Sequence, residues 1–78
     1  MKLNVLDPVV LTEDLPTHGL RRGDMGAIVE IYSEDDVEVE FVTAAGITQA
    51  LLALHINQLR PVGPHDIPAV RSLAACRT

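Results

Sequence analysis

The 78-residue sequence has one cysteine, no tryptophan, one phenylalanine and one tyrosine. A single thiol, Cys76, excludes an internal disulfide framework. Grooves that bind proline-rich peptides need several aromatics, and single-stranded nucleic acids need stacking platforms. Tyr32 and Phe41 alone supply neither. No apolar run approaches the ~18 residues of a membrane span. The first residues, Met1 to Val5, carry no long apolar stretch, and Asp7 and Pro8 follow at once. A cytoplasmic location is the expectation. No internal repeat or low-complexity segment is present.

Bases are also scarce. Six face eleven acids, for a net charge of −5. The imbalance is uneven: residues 1–62 carry four bases and ten acids, whereas residues 63–78 carry two arginines and one aspartate. An acidic domain repels phosphate backbones, which disfavours nucleic acid. A basic protein surface is the more natural partner.

Catalytic and metal-binding patterns are missing too. A catalytic cysteine needs a held histidine and a lowered pKa, and Cys76 lies two residues from the end. His18, His55 and His65 fall in three separate segments, with no His-x-x-x-His or Cys-x-x-Cys pair. The expectation is a non-enzymatic chain with no metal and no cofactor.

The strongest signal present is a hairpin. Val37, Val39 and Phe41 alternate with Glu38, Glu40 and Val42, the period of a strand with one wet face. Glutamates cannot enter a core without partners, so the Val/Val/Phe face points inward. The preceding strand, Ala27 to Tyr32, has Glu30 as its one charge. If Glu30 faces water, Ala27, Val29 and Ile31 face the core and Ile28 faces out. Ser33 to Asp36 links the two strands and lacks glycine, which favours a loop longer than two residues.

Gly23 and Gly26 precede the first strand of this hairpin. A phosphate-binding loop would need Gly-Lys-Ser/Thr and a following helix, and both are missing. Gly19, Gly23, Gly26 and Gly46 are therefore read as structural glycines of turns or a bulge.

Around the hairpin, Val5 to Leu11 reads as a first strand, and Leu15 and Leu20 fold back to seal the core. Ile47 to Leu54 reads as a further strand, although neither of its faces is polar. His55 to Gln58 reads as one helical turn, and Leu59 to Val62 as a short last strand. Gly63-Pro64 breaks the chain. In the tail, Ile67, Val70, Leu73 and Ala74 share one helical face, so a short helix over 66–75 is expected if the tail is not flexible.

Five short strands with these connections describe an all-β, SH3-like barrel over residues 1–62, followed by a tail over 63–78. The blocks Leu11-Thr12-Glu13-Asp14-Leu15-Pro16, Gly19 to Gly26, Val39-Glu40-Phe41 and Gln58-Leu59-Arg60-Pro61 together resemble a family of short bacterial proteins known as a domain of unknown function. The resemblance spans about Val5 to Val62. It implies a small SH3-like fold without an agreed activity, and an antidote role beside a toxin. The Gly-Asp-Met-Gly-Ala-Ile-Val stretch also resembles the turn-and-strand motif of KOW-type barrels, which are usually basic and bind RNA or protein.

Two functions follow as expectations. The first is a protein-interaction module, an antidote or accessory subunit to a partner. In it Glu34, Asp35, Asp36, Glu38 and Glu40, with Tyr32, form an acidic docking strip. The outward apolar residues Ile28, Val42, Leu52 and Leu54 would supply affinity, or else a homodimer contact. The alternative is a KOW-like nucleic-acid barrel using Arg21, Arg22 and Arg60.

Overall fold

A computed structural model describes residues 2–73. It is all-β, with five antiparallel strands in one sheet of order β4-β3-β2-β1-β5. The strands are β1 (Pro8–Leu11), β2 (Met25–Ile31), β3 (Asp36–Val42), β4 (Thr48–His55) and β5 (Leu59–Pro61). Two single 3-10 turns, Pro16–His18 and Ile56–Gln58, complete the regular structure.

The core explains the shape. All five strands contribute to one buried cluster: Val9 and Leu11, Ile28, Val37, Val39 and Phe41, Leu54, and Leu59. A flat sheet could not bring its two edge strands into one cluster, so the sheet curls around this core. Edges β4 and β5 do not pair with each other. The expected barrel is therefore an open, curled sheet. The turn Ile56–Gln58 carries the chain from one edge to the other. It is capped at both ends of one box: His55 Nδ1 accepts from the Asn57 N–H, and Gln58 Oε1 accepts from the His55 N–H.

Strand β3 is as its alternation dictates, with Val37, Val39 and Phe41 buried. Strand β2 differs. Ile28 pairs with Val39, but Glu30 pairs with Glu38, so Val29 is an extra, bulged residue. The bulge resets the alternation. Glu30 faces out and Ile31 lies on the inner side at the rim, as expected; but Ile28 is fully buried, and Ala27 sits opposite Glu40 on the outer face.

In β4 the pairs Val37–Leu54, Val39–Leu52 and Phe41–Ala50 share the inner face. Leu54 is buried and Leu52 packs against the core, so neither is an outward residue. Val42 is exposed as expected, and Leu51 is exposed where Leu52 and Leu54 are not. A second bulge, at Gln49, falls between the pairs Phe41–Ala50 and Val42–Thr48.

Strand β1 starts at Pro8 rather than Val5, because Asn4–Asp7 forms a turn with Leu6 at φ 78°. Leu15 and Leu20 bridge each other and Leu20 is buried, closing the core as expected. Gly19, Gly23 and Gly46 have φ of 70°, 95° and 81° and sit in turns. Gly26 does not: it lies inside β2, buried, without a positive φ.

The tail holds no helix over residues 66–73; residues 74 and 75 lie outside the described residues. Pro64 and Pro68 remove backbone donors, and a helix so short does not nucleate unaided. Instead the tail runs extended along the body, pinned at Asp66 and Arg71.

Candidate functional site

Two surfaces carry concentrated chemistry. The first is the outer face of β2, β3 and β4. Glu30 lies directly opposite Glu38, and Glu40 follows two residues along the same face. Across β4 stand Ala53, opposite Glu38, and exposed Leu51, opposite Glu40. Like charges directly opposed across strands destabilise a sheet. Among the described residues, no cation forms a salt bridge with any of these three glutamates. Thr48 Oγ1 donates to Glu40 Oε2 at 2.6 Å, which fixes that carboxylate.

Tyr32 joins this face. Partial desolvation, then the adjacent Glu38 carboxylate and the more distant charge of Glu30, push its phenol above the ordinary value of 10.0. The protein has one tyrosine and no tryptophan, so an ultraviolet titration reports this group alone. The midpoint is expected above 10.0, and Glu38→Gln should lower it. An unchanged midpoint in that variant would separate Tyr32 from the acidic face.

The rest of the expected strip is elsewhere. Glu34 and Asp35 border a recess at the rim with Lys2, Leu3, Ile31 and Ile56. Asp36 is occupied locally: its carboxylate accepts from Ser33 Oγ, which itself accepts from the N–H groups of Asp35 and Asp36. The structure thus brings Glu38, Glu40 and Tyr32 together, adds Glu30, and separates Glu34, Asp35 and Asp36 at the hairpin tip. The alternation in sequence puts Glu30 on the outside, but its pairing with Glu38 depends on the bulge.

The second surface is a notch at Asp24. Gly23 at positive φ closes a turn from Arg21 to Asp24, whose N–H donates to the Arg21 carbonyl. The Asp24 side chain accepts from the Arg21 N–H at 2.9 Å. It also takes one edge of the Arg71 guanidinium with both oxygens: Nε donates to Oδ1 at 2.8 Å, and Nη2 donates to Oδ2. Arg71 Nη2 donates further to the Gly19 carbonyl at 3.0 Å. This bidentate, charge-assisted contact is 26% exposed on the arginine side and 17% on the aspartate side.

The Arg71 hydrogen bond holds the Asp24 carboxyl below its ordinary 3.8, against the opposing effect of burial. A folded value below the unfolded one means that the unfolded chain binds the extra proton first. The contact therefore stabilises fully above 3.8 and is lost as pH falls through the lowered folded value. The stability difference between wild type and Asp24→Asn, from urea unfolding, is expected to be flat above about pH 5 and to close below it. A gap of constant size down to strong acid would overturn this.

The three arginines of the nucleic-acid reading do not form an unopposed basic patch. Arg60 pairs with Asp66, whereas Arg21 and Arg22 donate only their backbone N–H groups to Asp24 and Asp14, and their guanidinium groups form no salt bridge among the described residues. Among the described residues no group of three or more His, Cys, Asp or Glu is placed to hold a metal ion. No helix among them is long and apolar enough to cross a membrane.

A family pattern matches residues 5–61, the span that holds the open five-stranded sheet and its glycine turn. The chain belongs to the DUF4926 family, a domain of unknown function. No curated protein and no solved structure matches it. The family match ends at the close of β5, so the DUF4926 domain comprises the sheet and both 3-10 turns, while the tail with Arg71 lies beyond it. Asp24 is inside the DUF4926 domain, 47 residues from the arginine that fills its notch. No local sequence pattern could have revealed that pair.

Proposed function

We propose that this DUF4926 protein is a non-catalytic interaction domain that binds a protein with a basic, partly apolar surface, as an antidote or accessory subunit. One observation carries the reading: Glu30, Glu38 and Glu40 crowd one outer face beside Leu51, with no cation bridging them among the described residues. The opposed Glu30–Glu38 pair costs the isolated sheet stability, and a cationic partner would relieve that repulsion. The acids steer the encounter, and Leu51 and Val42 supply apolar contact. The net charge of −5 and the pairing of Arg60 with Asp66 argue against the nucleic-acid alternative.

Affinity capture from the native host tests it, with wild type and the double variant Glu38→Lys/Glu40→Lys compared at equal salt. A partner held by wild type, released by salt and bound about tenfold or more slowly by the variant is expected. Failure to recover a specific partner, or equal retention by the variant, would overturn the reading.

A further inference from the structure

The tail is held to the sheet almost wholly by side chains. Among the described residues, no backbone hydrogen bond joins residues 67–73 to the sheet. The core cluster and the residues packed on it all lie between Leu3 and Leu59, so the tail adds nothing to it. Ile67 and Val70 remain exposed. What fastens this end is Arg71, seated on Asp24 and the Gly19 carbonyl. Beside that seat runs a groove of about 410 Å³, walled on the sheet side by Leu20, Met25, Phe41, Val42 and Gln49, and on the other by tail residues 69–73. Gln49 reaches the groove because of its bulge, and its amide donates to the His18 carbonyl at 3.1 Å, bracing the loop that presents Gly19.

These parts make a receptor for one guanidinium on an extended backbone. The carboxylate is preorganised by the Arg21 N–H, the carbonyl by the turn at Gly19, and an apolar trough adjoins them. A planar fork matches this pair of acceptors and an ammonium does not. The occupant present is the chain's own tail, tethered through the Gly63-Pro64 break. A short tether supplies an effective concentration in the millimolar range, so a weak contact suffices to keep the seat filled.

We propose that the Asp24–Gly19 notch and its groove form a recognition site for an extended arginine-bearing segment of a partner protein, for which residues 67–73 are a resident, displaceable stand-in. The site shares only Val42 with the acidic outer face, and its anchor at Asp24 and Gly19 is tested independently of that face. A partner must displace Arg71, so the tail sets a threshold for binding.

The test uses the full chain, wild type and Arg71→Ala, with a synthetic peptide of residues 65–73 added in trans and followed by amide NMR. The peptide is expected to shift the signals of Gly19, Asp24 and Gln49 in Arg71→Ala saturably, and to need about tenfold more peptide on wild type, whose own tail competes. Lysine in place of the peptide's arginine should weaken binding, alanine should abolish it, and Asp24→Asn in the chain should do the same. Arg71→Gln provides a second host with the seat empty. Absence of saturable shifts in both emptied hosts, equal affinity for wild type, or indifference to the peptide's arginine overturns the proposal. Light scattering completes it: a wild-type dimer that Arg71→Ala dissolves would assign the notch to a second copy's tail and overturn the partner reading.

Discussion

Gly26→Ala is expected to destabilise the domain by about 3 kcal/mol, the upper part of the range for overpacking a tight core. Backbone preference alone gives the opposite sign, since alanine in a strand interior is ordinarily better than glycine by about 0.5–1 kcal/mol. Space decides against it. A Cβ at Gly26 would stand 2.6 Å from Val39 Cγ1, 2.9 Å from the Glu40 carbonyl oxygen and 2.9 Å from Phe41 Cε2. Two of these atoms belong to buried core side chains, and the third is backbone within the β2–β3 pair. None can yield without moving the sheet. For a domain of this size, 1 kcal/mol corresponds to about 4–8 °C in Tm, so a fall of about 12–24 °C is expected in a thermal melt. A melt unchanged or raised would show that β2 and β3 can separate at this point. Gly23→Ala is the natural control. It meets open space but keeps a φ of 95°, so its cost is that of the left-handed backbone alone, about 1 kcal/mol.

How much of this was legible beforehand depended on whether polar residues marked a face. Glu38 and Glu40 flag the outside of β3, and its inward Val37, Val39 and Phe41 follow directly. The four-residue link after β2 and the helical turn before β5 were equally plain from their polar, turn-forming residues. Strand β4 carries no such flag: Ala and Leu occupy both faces, so only pairing with β3 determines that Ala50, Leu52 and Leu54 turn inward. The tail's helical spacing was real, but two prolines and the pull of Asp24 on Arg71 outweigh it. In the candidate site, Glu38, Glu40 and Tyr32 were readable. The opposition of Glu30 to Glu38 was not, because it requires a bulge, and a bulge in the ladder leaves no mark in composition.

That bulge has a sharp energetic consequence. Simple alternation from Glu30 would make Ile31 a core residue and Ile28 a surface one. The extra residue at Val29 reverses their importance: Ile28 has no exposure, whereas Ile31 is 40% exposed at the rim. Ile28→Ala removes a side chain enclosed on all sides and leaves a cavity, at an expected cost of about 3–4 kcal/mol. Ile31→Ala deletes the same atoms where water already reaches them and should cost about 1 kcal/mol or less. The comparison is clean because the two substitutions are chemically identical, on one strand, three residues apart. Chemical denaturation of both variants measures it, and an unchanged m-value would confirm that only stability has moved. Equal costs, or a larger loss at Ile31, would mean that β2 runs without its bulge. Ile31 would then turn inward and Ile28 would share the outer face with Glu30, so the face proposed to bind a partner would carry an isoleucine that the bulge otherwise buries.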